Sequence, residues 1–442
     1  MGSVVKLLLV LVLVNMSQGL ARPQAGDGEL WAVLVAGSNT WFNYRHQADV
    51  CHAYQILHQH GVPDDHIVVM MYDDIANNRE NPMPGVIINR PDGPNVYDGV
   101  PKDYVGRDVT PENFLKVLSG DAEGMKGVGS GKVINSGAND RVFVNMVDHG
   151  APGIFAFPTT FLKVRDFMNT IVSMSRENKF KEMTIYMEAC ESGSMFLTLP
   201  DDIEVYALSA ASANESSYAC YLDKKVGTFL GDVFSIKWME DTDREDVRHE
   251  TLEKQFELVK KETTTSHVMQ WGQTSISRQK VGAFVGSKET EEDTYGPFQT
   301  LDDPCLKSSI RSPDVPLAIL QQRLQATEGL TGADYWMRQF NDLLTNRTFV
   351  RDTLMKIVRI VTDDDVMTAE MMSDSHHEIH NYDCYEDSTT TFHDLCFNLG
   401  QNPYALRMVN TMVNLCEHGY TAEEFSCAAR AVCTHDAVTG IH

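Results

Sequence analysis

Between Leu30 and Leu208, short runs rich in Val, Ile, Leu and aromatic residues alternate with longer stretches whose apolar residues return every three or four positions. The runs are Leu30–Ala36, Ile67–Tyr72, Val142–Val147, Met183–Met187 and Ile203–Leu208; the clearest helical stretches are Asn43–His60 and Pro111–Leu118. Runs that are apolar throughout belong to strands covered on both faces, and the intervening helices supply the cover. The pattern predicts an α/β fold, a parallel-majority sheet flanked by helices. Such sheets open their ligand crevices at the strand carboxyl ends. Two runs end there on reactive residues: 142–147 leads into Asp148-His149-Gly150, and 183–187 into Glu188-Ala189-Cys190-Glu191-Ser192-Gly193.

The pairing of Cys190 with His149 points to nucleophilic catalysis. Thiolate is the reactive form of cysteine, and a neighbouring imidazole lowers a thiol pKa of ~8.5 by forming an ion pair. Gly150 and Gly193 leave backbone room, so the amides of Gly150 and Cys190 would face a developing oxyanion. Taken alone, Cys190 also reads as a small packed hydrophobe at the end of a buried strand, and His-Gly as a common turn pair. The wording of the surrounding motifs separates the two.

Residues 1–21 have the layout of a signal peptide: Lys6, an apolar run from Leu7 to Val14, then small residues at Ser17, Gly19 and Ala21. The run is too short to span a bilayer and no later stretch is long enough, so no stable membrane insertion is expected. Asn214-Glu-Ser and Asn346-Arg-Thr are glycosylation sequons that fit a secretory route, to a lysosome or endosome or out of the cell. A formal net charge of −25 argues against nucleic acid as a partner, because that affinity rests on clustered Lys and Arg. Cys51, Cys190 and Cys220 are scattered, whereas Cys384, Cys396, Cys416, Cys427 and Cys433 crowd the tail. The tail is therefore expected to be disulfide-braced, with one of its cysteines left over or paired elsewhere, Cys305 being a candidate; the earlier region is expected to do without a disulfide framework. Periodicity fails between about Lys288 and Asp334, which predicts a linker over 288–340 between a domain at 22–287 and an all-α domain at 341–442. In that last domain one helical face is marked by Phe349, Leu354, Ile357, Val358 and Val361.

The blocks Val147-Asp148-His149-Gly150-Ala151-Pro152-Gly153 and Met187-Glu188-Ala189-Cys190-Glu191-Ser192-Gly193-Ser194 closely resemble the histidine and cysteine blocks of the legumain family of asparaginyl endopeptidases. Asn43-Tyr44-Arg45-His46-Gln47-Ala48-Asp49, Glu215-Ser216-Ser217-Tyr218-Ala219-Cys220 and the cysteine-bearing tail are similar to further blocks, so the resemblance covers nearly all of the chain after residue 21. It implies a caspase-like sheet domain, an activation peptide and a helical prodomain that covers the active site. It implies a cysteine endopeptidase with Cys190 as nucleophile, His149 as proton carrier and Asn43 orienting the histidine. It also places Arg45, His46, Glu188, Ser216 and Asp232 around the residue before the scissile bond, and pairs Cys384 with Cys416 and Cys396 with Cys433. A carboxamide is donor and acceptor at once, so a pocket with a cation on one side and carboxylates on the other suits asparagine. Protein and peptide substrates, the chain's own prodomain and cystatin-like inhibitors are the implied partners, with no metal or organic cofactor.

Three further expectations come from the residues. Protonation of the pocket carboxylates in acid would let aspartic acid enter in place of asparagine. No asparagine lies between Glu215 and Phe340, so acid self-processing would use Asp302, Asp303, Asp314 or Asp334, or Asn341 and Asn346. The cluster His376-His377-Glu378-Ile379-His380 lacks the zinc-protease spacing; if helical, His376 and His380 would share a face, and their protonation would bear on prodomain docking. The competing function classes are a lipid-anchor transamidase and a catalytically silent binding protein. The intact Asn43, His149 and Cys190 argue against the latter.

Overall fold

A computed structural model of the chain describes residues 28–288, 303–327, 329–375 and 377–442. The signal-peptide segment, most of the acidic stretch after Lys288, Asp302 and His376 lie outside the described residues. The strands in chain order are β1 (Leu30–Ala36), β2 (Ile67–Met70), β3 (Arg141–Val147), β4 (Gly150–Ala151), β5 (Ile154–Phe157), β6 (Thr160–Lys163), β7 (Glu182–Glu188), β8 (Val205–Ser209), β9 (Tyr218–Asp223), β10 (Thr228–Asp232), β11 (Met269–Gly272) and β12 (Ile310–Arg311). The helices that cover them are α1 (Tyr44–Gln59), α2 (Pro111–Ser119), α3 (Val164–Arg176), α4 (Val233–Thr242), α5 (Leu252–Glu262) and α6 (Gly282–Val285). Then come α7 (Pro304–Ser308), α8 (Val315–Ala326), α9 (Leu330–Thr362), α10 (Asp365–Met371), α11 (Tyr382–Leu395), α12 (Pro403–Leu406), α13 (Asn410–Glu417) and α14 (Ala422–Val432).

The main sheet has the order β11-β8-β7-β3-β1-β2, parallel throughout except for β11. Its two faces are packed separately: α1, α4 and α5 cover one with Tyr54, Leu57, Trp238 and Phe256, and α2 and α3 the other with Phe114, Leu118, Phe167 and Ile171. This double cover is why β1 is apolar throughout and why β3 and β7 carry apolar residues on both faces rather than at alternate positions only. Thr110 and Thr251 cap α2 and α5, and Gly120 ends α2 in the left-handed conformation that glycine adopts without strain. The fold class is the one the alternating runs predict, a helix-flanked parallel-majority sheet followed by a helical, disulfide-braced tail.

The stretch read as an aperiodic linker differs from expectation. Residues 303–326 form α7, β12 and α8, and α9 runs unbroken from Leu330 through Phe340 to Thr362, across the point where the tail was expected to begin. Order here comes from tertiary contacts that periodicity does not register. Cys305 is disulfide-bonded to Cys220, Asp303 caps α7 and pairs with the buried Lys237, and β12 adds to the edge of β9. Val315 and Ile319 of α8 pack on Ala219 and Phe229. The Cys220–Cys305 bond also corrects the expectation that the first region lacks a disulfide. In the tail Cys384 is bonded to Cys416 and Cys396 to Cys433, with Cys427 exposed and unbonded. Val350, Leu354, Ile357 and Val358 of α9 are fully buried, whereas Phe349 lies at the edge, 37% exposed. Residues 377–381 are not helical: Asn381 caps α11, and Glu417 accepts the amides of His380 and Asn381, so His377 and His380 do not lie on a helix, while His376 lies outside the described residues.

Candidate active site

In the parallel pair β3–β7, Val147 lies beside Glu188, so the chain leaves both strands at the same edge carrying Asp148-His149 and Ala189-Cys190. The close approach is built on Gly150, where a Cβ would lie 2.1 Å from the Cys190 carbonyl oxygen. Ser194 ties the two loops together, accepting from the Gly153 amide at 2.8 Å and donating to the Glu191 carbonyl at 2.6 Å. His149, Gly150 and Cys190 line one cavity of about 460 Å³ together with Asn43 and Ser216.

Asn43, at the start of α1, donates from Nδ2 to the Asn39 carbonyl (2.9 Å), which fixes its amide so that Oδ1 faces Nε2 of His149 at 2.9 Å. An amide oxygen only accepts, so Nε2 carries the proton and Nδ1 of the neutral ring is left as the base. Cys190 is buried, with its sulfur 3.8 Å from the Ser217 hydroxyl. Burial, reinforced by Glu191, pushes the thiol up to about 12, and burial with the nearby Arg45 guanidinium holds His149 well below the usual imidazole value. The ion pair expected from the sequence is therefore not the favoured state of the covered site; thiol and imidazole are both neutral in it.

Arg45, His46 and Asp49 follow on the same helix. Arg45 is fully buried and donates from Nε to Asp232 Oδ1 at 2.8 Å, and Asp232 ends β10. His46 receives 2.6 Å contact from the Ser38 hydroxyl at Nδ1 and lies edge-on to His149, ring centres 5.0 Å apart. Burial and Arg45 keep His46 well below the usual imidazole value. Glu188 Oε2 accepts from the Ser235 amide (2.9 Å) and hydroxyl (3.1 Å), while its Oε1 and Asp232 Oδ2 are buried with no hydrogen-bond donor in the structure. His46, Asp148 and His149 have ligand atoms within 4.8 Å of one another, but one nitrogen of each histidine is engaged, by Ser38 and Asn43, and Arg45 stands beside them, an arrangement that disfavours a cation.

The site is covered from the tail side. Arg45 Nη2 donates to Ser312 Oγ and Arg311 Nη2 to Ser216 Oγ, both at 3.0 Å, while the Ser312 amide donates to the Ser217 carbonyl. The 310–312 segment thus lies along β9 as an added strand, directly over Arg45. Arg407, Tyr404 and His442 close the cavity from beyond it. Elsewhere Arg165 forms a two-pronged pair with Glu386 (2.8 Å each), Tyr385 donates to the Pro152 carbonyl, and Asn398 donates to the Thr159 carbonyl. The exposed Asn214 stands at the cavity mouth and the exposed Asn346 on α9, away from it.

All of the residues singled out from the sequence for chemistry or specificity meet here. Residues the sequence reading passed over also meet here: Ser38, Asp49, Ser217, Arg311, Ser312 and His442. Only Asp49 carried a signal, its spacing of one helical turn from Arg45.

The model for the Peptidase C13 family matches residues 30–287, and the model for the legumain prodomain matches residues 338–433. Legumain of Rattus norvegicus is 49% identical over 94% of this chain and 94% of its own length, and legumain of Homo sapiens 47% identical over 93% and 94%. The hemoglobinase of Schistosoma japonicum is 38% identical over 96% of this chain and 98% of its own. A solved caspase-1 from Spodoptera frugiperda is similar over 60% of this chain and 93% of that one, at 10% identity and a TM-score of 0.37; the fold class rests instead on the strand order above. With the enzyme and prodomain matches lying on the two sides of the cavity just described, the chain belongs to the Peptidase C13 family.

Proposed function

We propose that this cysteine endopeptidase, made as a zymogen with a C-terminal prodomain, cuts proteins after asparagine and, in acid, after aspartate. Cys190 is the nucleophile. Once the cover is removed, His149 takes the thiol proton at Nδ1, held for the task by Asn43, and the thiolate adds to the scissile carbonyl. The amides of Gly150 and Cys190 receive the oxyanion. The imidazolium then protonates the leaving amine, a thioester remains on Cys190, and water attacks it with His149 as base; an amine attacking instead would join peptides. The prodomain match over 338–433 favours this reading over a transamidase.

The observation that carries the specificity is the fully buried Arg45–Asp232 pair, with two carboxylate oxygens, Glu188 Oε1 and Asp232 Oδ2, left without donors. An asparagine side chain supplies an acceptor for the guanidinium and donors for such oxygens, and Ser216 and His46 complete the wall. A side chain lacking the amide leaves those groups unpaired at roughly 1–3 kcal/mol each. At neutral pH aspartate is repelled; protonated, it takes the place of the amide. Secretion through the signal peptide to an acidic compartment, glycans on Asn214 and Asn346, and inhibition by cystatin-like proteins belong to the same reading. Among the described residues no helix is long and apolar enough to cross a membrane.

The test is cleavage of a peptide containing one Asn and one Asp by acid-treated protein and by Cys190→Ala, with fragments weighed. Cysteine-dependent cutting after Asn at pH 6, and after Asp only nearer pH 4, is expected. Equal cutting after Asp at neutral pH would overturn the pocket reading.

A further inference from the structure

Directly behind the pocket lies a carboxyl group that the mechanism above does not use. Asp49 is one turn along α1 from Arg45, 1% exposed, and faces the same end of β10. Its Oδ2 accepts the backbone amide of Asp232 at 3.2 Å, and its Oδ1 accepts from Nδ2 of Asn89 at 2.7 Å. Asn89 is itself buried and fixed, donating also to the Leu230 carbonyl (2.9 Å) and meeting Nδ1 of His52 at 2.8 Å through its own oxygen. His52 in turn meets Asp243 at 3.0 Å. Asp49 is thus held from behind by a built polar chain and presents its carboxyl to Asp232.

We infer that Asp49 is a positioning residue for the specificity pocket, holding Asp232 as the anion that faces Arg45 and the substrate amide. The inference rests on the asparagine-specific reading above and extends it to the layer beneath. Four carboxyl groups (Asp49, Asp148, Asp232 and Glu188), the Arg45 guanidinium and the His46 imidazole share a space closed to water, and carboxylates so placed do not all ionise. Arg45 touches Asp232 and not Asp49. Burial and the Asp232 charge hold Asp49 well above the usual carboxyl range; burial raises Asp232 as well, but there Arg45 opposes it. With the Arg45 cation on Asp232 and none on Asp49, the proton of the pair falls to Asp49, which the Asp232 amide already holds beside the Asp232 side chain. A protonated Asp49 donates to the Asp232 carboxylate while still accepting from Asn89 and from the Asp232 amide. Through Asp232 it sets the charge of the pocket and hence how low the pH must fall before an aspartate side chain is admitted.

The variants that separate this from simple packing are Asp49→Asn, which keeps a neutral donor toward the Asp232 carboxylate and an acceptor toward Asn89 and gives up only the acceptor of the Asp232 amide, and Asp49→Ala with the larger Asp49→Leu, which keep none of the three. Each is made in the full chain, processed in acid, counted by alkylation of Cys190, and assayed with matched Asn and Asp peptides from pH 4 to 7. For Asp49→Ala and Asp49→Leu we expect KM for the Asn peptide to rise about tenfold or more with kcat within about threefold, as for loss of one hydrogen bond to a charged group. The pH below which the Asp peptide is cut should move up by about one unit, because Asp232 without its donor protonates more readily. Asp49→Asn should restore KM and the pH profile to within about threefold of wild type. An unchanged KM and pH profile in Asp49→Ala or Asp49→Leu overturns the inference, as does an Asp49→Asn enzyme impaired as much as they are. A wild-type enzyme that does not distinguish Asn from Asp at any pH brings down the specificity reading itself, a different result from either.

Discussion

Cys305→Ser removes the disulfide that ties the segment over the pocket to β9 of the peptidase unit. Cys220 and Cys305 are both fully buried, and the bond between them closes a loop of 85 residues. Loop-closure entropy for that length amounts to about 4–5 kcal/mol as an upper figure, lost from the unfolded chain when the bond forms. The bond also governs what happens after processing. A cut beyond Cys305 frees the prodomain, and even if the chain is also cut before Cys305 the bond keeps α7 and the residues up to the later cut on β9, including Ser312 over Arg45 if that cut falls after Asp314. Thiol titration of the denatured, unreduced protein should find three free cysteines, Cys51, Cys190 and Cys427. If acid processing also cuts before Cys305, after Asp302 for example, an unreduced gel should show the peptide carrying residue 305 travelling with the peptidase chain, and reduction, or Cys305→Ser, should release it. Urea unfolding should find Cys305→Ser several kcal/mol less stable than wild type when both are unreduced, and the two alike when both are reduced, since reduction also opens Cys384–Cys416 and Cys396–Cys433 in each. Five free thiols in the wild type, or identical urea midpoints for the unreduced wild type and unreduced Cys305→Ser, would refute the tether.

Asn43→Ala leaves His149 without the acceptor that selects its tautomer, so kcat should fall by about a hundredfold, the lower range for a misplaced general base, with KM little changed in steady-state assays. Glu386→Gln breaks the two-pronged pair with Arg165; because Arg165 is 44% exposed the loss is discounted to about 1 kcal/mol, read as several-fold faster prodomain release at pH 6. His442 lies against Arg347 and Arg45 near His149, and burial, then those cations, lower it to about 4. The closed form thus binds fewer protons than the open form between pH 6.5 and 4, so closure is stable above 6.5 and weakens as pH falls, by at most about 3 kcal/mol below 4; His442→Gln should flatten the pH dependence of prodomain release in this window. Terminal sequencing of acid-activated protein should give cuts after Asp or Asn, and Asp303, buried against Lys237, should stay intact unless α7 opens; cuts solely after Arg311 or Arg323 would implicate another protease.

The central sheet was legible because doubly covered strands carry continuous apolar runs: β1 matches its predicted span residue for residue, and β3 and β7 extend theirs by a residue or two. The site was legible where strand ends coincided with reactive residues, as at His149 and Cys190. What stayed hidden depends on contacts distant in sequence. Nothing about Ile310-Arg311-Ser312 foretells a strand; two residues pair with β9 only because Cys305 and Asp303 anchor the chain beside it. The cover by His442 is hidden for the same reason, since a histidine near the end of a polar segment reads as solvated until α9 supplies Arg347 to hold its carbonyl at 2.8 Å. Asp49 stayed hidden because a lone carboxyl on a helix is ordinarily exposed, and only β10 and Asn89 reveal that it is enclosed.

Steric blocking and chemical silencing in the closed form are consequences of the same contacts. The residues over the cavity exclude water, and exclusion of water is the first cause both of the high thiol pKa at Cys190 and of the low imidazole pKa at His149. A thiol near 12 opposite an imidazole that resists protonation does not transfer its proton, so even a substrate strand that displaced Ser312 would meet an unreactive sulfur while the helical tail stayed docked. Removing the tail reverses both conditions at once, because solvent and substrate enter by the same opening. It follows that alkylation of Cys190 by iodoacetamide, a probe too small to be blocked by the strand along β9, should be slow in the closed protein and become fast in step with loss of the tail. If Cys190 alkylates rapidly while the tail is still bound, the cover acts by blocking alone, and the coupling between burial and reactivity argued here is wrong.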